Sequence, residues 1–386
     1  MKVLKEFEII LKSFTWTGVI FPSVEAKKRK TKVFDKLKII LKSLSETAFV
    51  SFTVFTIFQG INGRVESAIS FKVTTITLNT LLLILRLSVL RDKKRILKTL
   101  VRLQGFGNRR EKGIPFPFQK YSLLACGICI LFPVSLIAGT AIQILINLDE
   151  YLPMMYIDAH NMTTHSKFFY GFFLVLHSIA YVIHYLMFPG MVMILLSFVY
   201  LFFIKSFYQQ LESIQFRLLQ NFSRQEVSRA LMAFSLAKKI HRDIEETFSF
   251  KTFLAYVQTF GNILQVVCMI TTDYLSEEKT MQILFSFTIF FWTIGGFVLL
   301  TICGTQVAKI EVIVKDIRQE VISKNYGKKP EGQNELACLN LYDACSSLEL
   351  RFTAWGMFEV DKKLFLTISG VLVTYGVLFA TEVARV

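Results

Sequence analysis

Lysine and arginine occupy alternate gaps between seven apolar stretches, and that alternation limits what the chain can be. The stretches run at about 44–61, 69–90, 121–146, 168–204, 252–272, 281–303 and 364–383. Residues 1–43 carry 11 Lys and Arg, 91–120 carry 10, 205–251 carry 8 and 304–363 carry 9. The opposite set of gaps and the C-terminal end carry one each: Arg64, Lys167, Lys279 and Arg385. Basic loops stay on the cytoplasmic side of a bilayer, so a bias of 38 to 4 sets the orientation. The sequence thus predicts an all-α membrane protein of seven transmembrane helices, with a cytoplasmic N-terminus, an extracellular C-terminus and the lipid bilayer as its surroundings. Charged residues are 19% of the chain, against about 25% in soluble domains. A net charge of +15 would otherwise suggest nucleic acid. The basic residues lie in alternate loops, so no nucleic-acid partner is expected.

Six regions follow from this plan: a cytoplasmic N-terminal segment (1–43), spans one to four (44–204), a cytoplasmic helical extension (205–251), spans five and six (252–303), cytoplasmic anchor helices (304–363) and the last span (364–386). The first region is basic and amphipathic, with KKRKTK at 27–32. Glu6 and Glu8 precede its uncharged run at 13–24, which suits an interfacial segment at the inner leaflet better than a cleaved signal peptide. Span four exceeds bilayer thickness and should tilt, kink near Pro189 and project beyond the membrane. Lys72 and Arg86, near the ends of span two, are expected to snorkel to the headgroups. Three apolar stripes mark helices on the cytoplasmic side: Leu236, Ile240, Ile244, Phe248; Val307, Ile310, Val314, Ile317, Val321; and Leu341, Cys345, Leu348, Phe352. They can be buried within one subunit or between subunits.

No enzyme chemistry assembles, and no cofactor is expected. Among the five His, only His177 and His184 fall in a span, both in span four, so a zinc site of the kind found in seven-span membrane hydrolases is missing. No phosphate-binding glycine loop or nucleophile elbow occurs. Cys126 and Cys129 form a CxxC inside an apolar helix and read as packing. Asn161-Met162-Thr163 is a glycosylation sequon in the outer loop 147–167, making Asn161 the expected acceptor. The sequon at Asn221 falls inside and should be silent.

The polar residues within spans point to a pocket open to the outside. Tyr170, His177, Tyr181 and His184 form one stripe on span four. Gln143 on span three, Gln265 on span five, and Gln282, Ser286 and Trp292 on span six lie in or near the same layer. Together they suit a small organic ligand. The alternative is that these side chains satisfy one another between helices.

The last span is uncharged from Leu364 to Thr381, with Thr367, Gly370, Thr374 and Thr381 recurring at helical spacing. Such a small, hydroxylic face serves close helix packing or lines a pore. The lead-in LRFTAWGMFEVDKK carries Gly356, Phe358, Asp361 and Lys363, and Thr374-Tyr375 follows within the span. This stretch of about 35 residues resembles the C-terminal signature of the arthropod gustatory receptor family, siblings of the insect odorant receptors. Thr381-Glu382 departs from the Gln-Phe that closes the family's TYxxxxxQF motif, which suits a divergent bitter-type or orphan member. The resemblance implies a taste receptor in the plasma membrane of sensory neurons. It would act as a ligand-gated, non-selective cation channel assembled as a homo- or heterotetramer, gated by a small organic tastant and passing cations. It further implies that Thr374, Tyr375, Leu378, Thr381 and Glu382 belong to the pore helix. A ring of Glu382 carboxylates would favour cations, with Arg385 one turn away to offset it. A G-protein-coupled receptor would place the N-terminus outside, against the charge bias, and lacks its Asp-Arg-Tyr and Asn-Pro-x-x-Tyr signatures here. An odorant-receptor-like channel subunit is the nearer alternative. A transporter would call for an internal repeat, which is not visible.

Overall fold

The computed structural model describes residues 4–22, 32–62, 69–108, 117–148, 164–271, 280–321, 323–324 and 332–361, with separate positions between 363 and 374. Helix α1 (Glu8–Ser13) runs into a 3-10 turn at Phe14–Thr17. There follow α2 (Lys32–Asn62), α3 (Ile69–Arg91), α4 (Lys93–Gly107), α5 (Phe118–Ile146) and α6 (Thr164–Val182). A π turn at Ile183–Met187 joins α6 directly to α7 (Phe188–Gln220). Then come α8 (Arg224–Thr271), α9 (Thr280–Thr305), α10 (Val307–Asp316), a second π turn at Ile317–Val321, and α11 (Gly332–Ser346). Strands β1 (Thr353–Ala354) and β2 (Phe358–Glu359) make a small antiparallel hairpin, with Thr353 opposite Glu359. The described positions from 363 to 374 are helical.

The fold is that of an all-α membrane protein. Four helical stretches are long and apolar enough to cross a bilayer: Val73–Arg91, Phe118–Ile146, Ser166–Gln220 and Phe287–Val321. A shorter apolar run, Ser43–Phe58, lies in α2. Span five of the sequence reading is the C-terminal part of the 48-residue α8.

Helix α7 is the axis of the molecule. From Phe188 to Ile204 its sequence carries no charge, and nearly every side chain is buried. A helix apolar all round must be enclosed by others. Here α4, α5, α8, α9 and α10 all pack on it. Its Tyr200 hydroxyl finds Thr252 Oγ1 on α8 at 2.7 Å, as a buried phenol requires. The kink expected near Pro189 takes the form of the π turn just before it. Proline has no N–H to offer the carbonyl one turn back and crowds it, so the preceding turn widens.

Arg86 does not snorkel. Its side chain is fully buried, with Nη1 donating to the Thr17 carbonyl at 3.0 Å. The guanidinium lies 4.8 Å from the Phe49 ring centre and 4.2 Å from that of Phe188. Residues 4–21 explain the difference. Leu4, Phe7, Ile10, Phe14 and Val19 are buried, and the Phe7 ring meets Phe118 and Phe202 at 5.4 and 5.3 Å. This amino-terminal segment closes over the end of α3 and supplies the carbonyl that Arg86 would otherwise seek in the headgroups.

The three cytoplasmic stripes are buried within the single chain. Ile240, Ile244 and Phe248 of α8, Ile310, Ile317 and Val321 after α9, and Leu341, Cys345, Leu348 and Phe352 around α11 all belong to one core. Charged pairs fix α4 along α8: Arg102 to Asp243 at 2.6 Å, Arg95 to Glu246 at 2.9 Å, and Lys251 to Asp92 at 2.5 Å. Val312, Leu336, Leu339 and Tyr342 remain exposed on the outer side of this bundle.

Gly18 ends the 3-10 turn with φ +77, and a Cβ there would meet Phe49 Cδ2 at 2.5 Å. Left-handed backbone alone costs a non-glycine residue about 1–2 kcal/mol. Gly18→Ala is therefore expected to lower the thermal unfolding midpoint of the detergent-purified protein by several degrees, and an unchanged midpoint would refute the tight closure at Arg86.

Candidate ligand-binding cavity

A cavity of about 280 Å³ lies where α5, the π turn, α7, α8 and α9 converge. The breadth comes from glycine. At Gly190 of α7 a Cβ would meet Cys129 Sγ and Trp292 Cζ2, both at 2.9 Å, and at Gly296 of α9 it would meet Met193 Sδ at 2.4 Å. The helices approach closely at these points, leaving a gap beside them. Ala125 and Ile128, Met193 and Ile194, and Phe291, Trp292 and Leu299 supply an apolar wall. Gln258, Thr259 and Asn262 of α8 supply a polar one. The Thr259 hydroxyl is occupied by the Ala255 carbonyl at 2.8 Å, and that of Thr293 by the Ile289 carbonyl at 2.5 Å. Gln258 is buried, and its Nε2 reaches Asn262 Oδ1 at 3.4 Å while its Oε1 has no partner. No charged residue lines the cavity among the described residues.

Of the residues singled out in the sequence, Trp292 lines this cavity, with its Nε1 donating to the Leu186 carbonyl at 3.2 Å and its ring stacked on Phe132. The stripe on α6 and the π turn lies elsewhere. His184 is buried with Nε2 3.0 Å from Thr53 Oγ1 of α2, and His177 packs on Phe52. Tyr181 meets the Tyr185 ring at 4.1 Å, and Tyr170 packs beside Phe169. Gln143 accepts from Asn147 Nδ2 at 3.2 Å, and Gln265 Nε2 donates to Thr75 Oγ1 on α3 at 3.3 Å. The side chains of Gln282 and Ser286 fall outside the described residues, as do Asn161, Tyr375, Leu378, Thr381 and Glu382. Gln258 and Asn262 were legible in principle: with Gln265 they stand at i, i+4 and i+7 of an otherwise apolar run.

Below the cavity the same helix holds the hairpin that leads into the last span. Glu245 of α8 accepts from the Thr353 backbone N–H at 3.1 and 3.2 Å and from its hydroxyl at 2.5 Å. The Trp355 N–H donates to the Ser249 carbonyl at 3.1 Å, and Arg351 pairs with Glu359 at 2.6 Å. Gly356 turns the hairpin with φ +70, a conformation glycine adopts at no steric cost. Gly304 of α9 abuts the other side, where a Cβ would sit 2.6 Å from the Val360 carbonyl. Two cavity-lining helices, α8 and α9, thus grip the segment ahead of residue 363.

The architecture defines a multi-pass helical membrane protein with a cavity between its apolar helices. Its fold is that of insect olfactory receptors. Olfactory receptor OR5 from Machilis hrabei, solved in complex with eugenol, aligns over 98% of this chain and 97% of its own, with a TM-score of 0.62 and 12% identity. A second structure of the same receptor gives 0.63 at 10% identity, covering 97% of both chains. No protein-family model and no curated protein matches the sequence.

Burial lifts the Glu245 carboxyl to about 7, although the Thr353 donors pull it down. The folded chain then keeps a proton that the unfolded chain releases at its ordinary value, so this group's contribution to stability falls as pH rises from about 4.5 to about 7. His241 beside it acts oppositely: burial holds it at about 4, so stability rises with pH from about 4 to about 6.5. The two effects offset each other in the native protein. Glu245→Gln leaves His241 alone, so stability should climb more steeply between about pH 5 and 7, by about 2 kcal/mol over the wild type. Parallel unfolding midpoints for the two proteins across that range would contradict the clamp.

Proposed function

We propose that this chain is a subunit of a chemosensory, ligand-gated, non-selective cation channel of the insect type, acting in taste and opened by a small organic molecule. The observation that carries this reading is the match in fold over nearly the full length to an olfactory receptor solved with the small molecule eugenol, together with a cavity of ligand size in this chain. The gustatory-type signature around Gly356, Phe358 and Thr374-Tyr375 supports taste over smell. An odorant-receptor-like subunit is the second reading, favoured by the identity of the fold match.

In this reading four copies assemble around the last span. Thr367, Gly370 and Thr374 are uncovered by the rest of the chain, and the two hydroxyls bond to the carbonyls of Lys363 and Gly370 at 3.0 and 2.9 Å. That leaves a small, uncovered face for neighbouring copies and the pore. Outside the membrane, exposed Val312, Leu336, Leu339 and Tyr342 offer apolar surface for the same assembly. Ligand in the cavity acts on α8 and α9, and their grip on the hairpin passes displacement to the last span. Thr374, Tyr375, Leu378, Thr381 and Glu382 line the conduit, with Glu382 near its outer mouth.

Two experiments test the proposal. In cells expressing the chain, a panel of sugars, bitter compounds and volatile phenols should evoke cation current that persists when G-protein signalling is blocked. Loss of current under the block would favour a coupled receptor. Gly295 lines the cavity and a Cβ there meets no atom within 4 Å, so Gly295→Phe adds bulk at the cavity wall from a position with room for a side chain to start. It should reduce the evoked current at least about tenfold at normal expression. Glu382→Gln should lower cation over anion permeability, read as a shift in reversal potential on ion substitution; an unmoved potential excludes the carboxylate ring.

A further inference from the structure

One face of α8 holds the segment that enters the last span, rung by rung. His241, Glu245 and Ser249 stand at i, i+4 and i+8. His241 Nε2 lies 3.1 Å from the Arg351 carbonyl, Glu245 accepts from Thr353, and the Ser249 carbonyl accepts from the Trp355 N–H at 3.1 Å. Lys238, nearly one turn earlier on the same face, reaches the Ser347 hydroxyl at 3.4 Å. This rung is the longest and chemically the weakest. An ammonium there meets a neutral hydroxyl that donates its own proton to the Ala344 carbonyl at 3.3 Å. No carboxylate pairs with Lys238 among the described residues. Ser347 is exposed just past the end of α11, where 348–352 runs on as neither helix nor strand.

We propose that Ser347 is a phosphorylation site on the cytoplasmic side, and that phosphoserine there completes the ladder through Lys238. A protein kinase performs the transfer with ATP. The Ser347 oxygen bonds to the γ-phosphorus as the bond from that phosphorus to the β–γ bridging oxygen breaks; the hydroxyl proton passes to the kinase's base, and ADP leaves. Asp343 and Glu349 are exposed on either side of the serine, which suits a kinase with a basic substrate groove. The product carries a charge of about −1.5 to −2 and three acceptor oxygens. At this point in the chain that charge needs a cation: the last carbonyls of α11 and the Glu349 carboxylate repel it, and Lys238 attracts it. Ser346 is placed differently. Its hydroxyl lies 3.5 Å from Arg318 Nη1 on the second π turn, so phosphate there ties α11 to that turn and adds no rung on α8. Residues 347–355 lead into the last span, so a kinase acting here sets how firmly α8 holds the base of that span, whether or not the span lines a pore.

The test uses the full-length protein. Isolated from insect cells with phosphatases inhibited, it should carry phosphate on Ser347, located by peptide fragmentation in a mass spectrometer. Phosphoserine introduced in place of Ser347 by amber suppression should slow amide hydrogen exchange at Thr353 and Trp355 about fivefold, the return from one well-placed exposed charge pair. Phosphatase treatment should restore the original rate. Lys238→Met removes the cation and keeps the repulsion, so phosphoserine should no longer slow exchange in that variant. Without phosphate, Lys238→Met should exchange within about twofold of the wild type, because an exposed lysine on a hydroxyl contributes little; that comparison guards against a folding defect. Phosphoserine in place of Ser346 should likewise leave Thr353 and Trp355 within about twofold of their original rates. An unmodified Ser347, phosphate confined to Ser346, equal slowing from either position, exchange unmoved by phosphoserine, or slowing that survives Lys238→Met overturns the proposal. None of these readouts involves current, so their failure is distinct from failure of the channel reading.

Discussion

Everything in this molecule depends on a helix with no polar face. Between Phe188 and Ile204, α7 presents apolar side chains in every direction, so neither water nor a single neighbouring helix can satisfy it. Neighbouring helices, α4, α5, α8, α9 and α10 foremost, enclose it, and their positions around it are then limited by side-chain volume. Where glycine lets a neighbour come close, as at Gly190 and Gly296, the packing cannot be even around the axis. The cavity is the consequence of that unevenness, placed between the helices glycine draws together and those that larger residues hold off.

The cytoplasmic half follows a different rule. There the helices are amphipathic, and their stripes meet inside the subunit, with charge pairs such as Arg102–Asp243 and Lys251–Asp92 along the rim. Helix α8 belongs to both halves. Its outer part walls the cavity with Gln258 and Asn262, and its inner part holds the hairpin through Glu245 and the Ser249 carbonyl. One helix thus carries a cavity wall at one level and a grip on the hairpin at another, a continuous physical link between the two.

Much of the plan could be read without coordinates. Periodicity located the helices, and the stripes through Ile244, Val314 and Leu341 marked the faces that are buried. The cavity was less legible. Trp292 was found because a tryptophan deep in a span is conspicuous. His184 drew attention for the same reason, yet it lies against Thr53 of α2, away from the cavity. Which side of span four faces a cavity depends on the π turn before Pro189, which advances the register by about one residue in a way no hydropathy pattern records. Arg86 was read as a headgroup-seeking residue because nothing in span two announces that residues 4–21 fold back over it.

The sequence by itself determined the number and order of apolar helices, their orientation by charge and the stripes that must be hidden, because transfer of apolar and charged groups between water and lipid is a property of each segment alone. Tertiary structure decided which polar groups meet, that the Gln258 acceptor is left unmade while Gln265 donates to Thr75, and that Glu245 holds the hairpin. Those outcomes depend on distances of a few ångström between helices far apart in the chain, set by side-chain volume at sites such as Gly190 and Gly304.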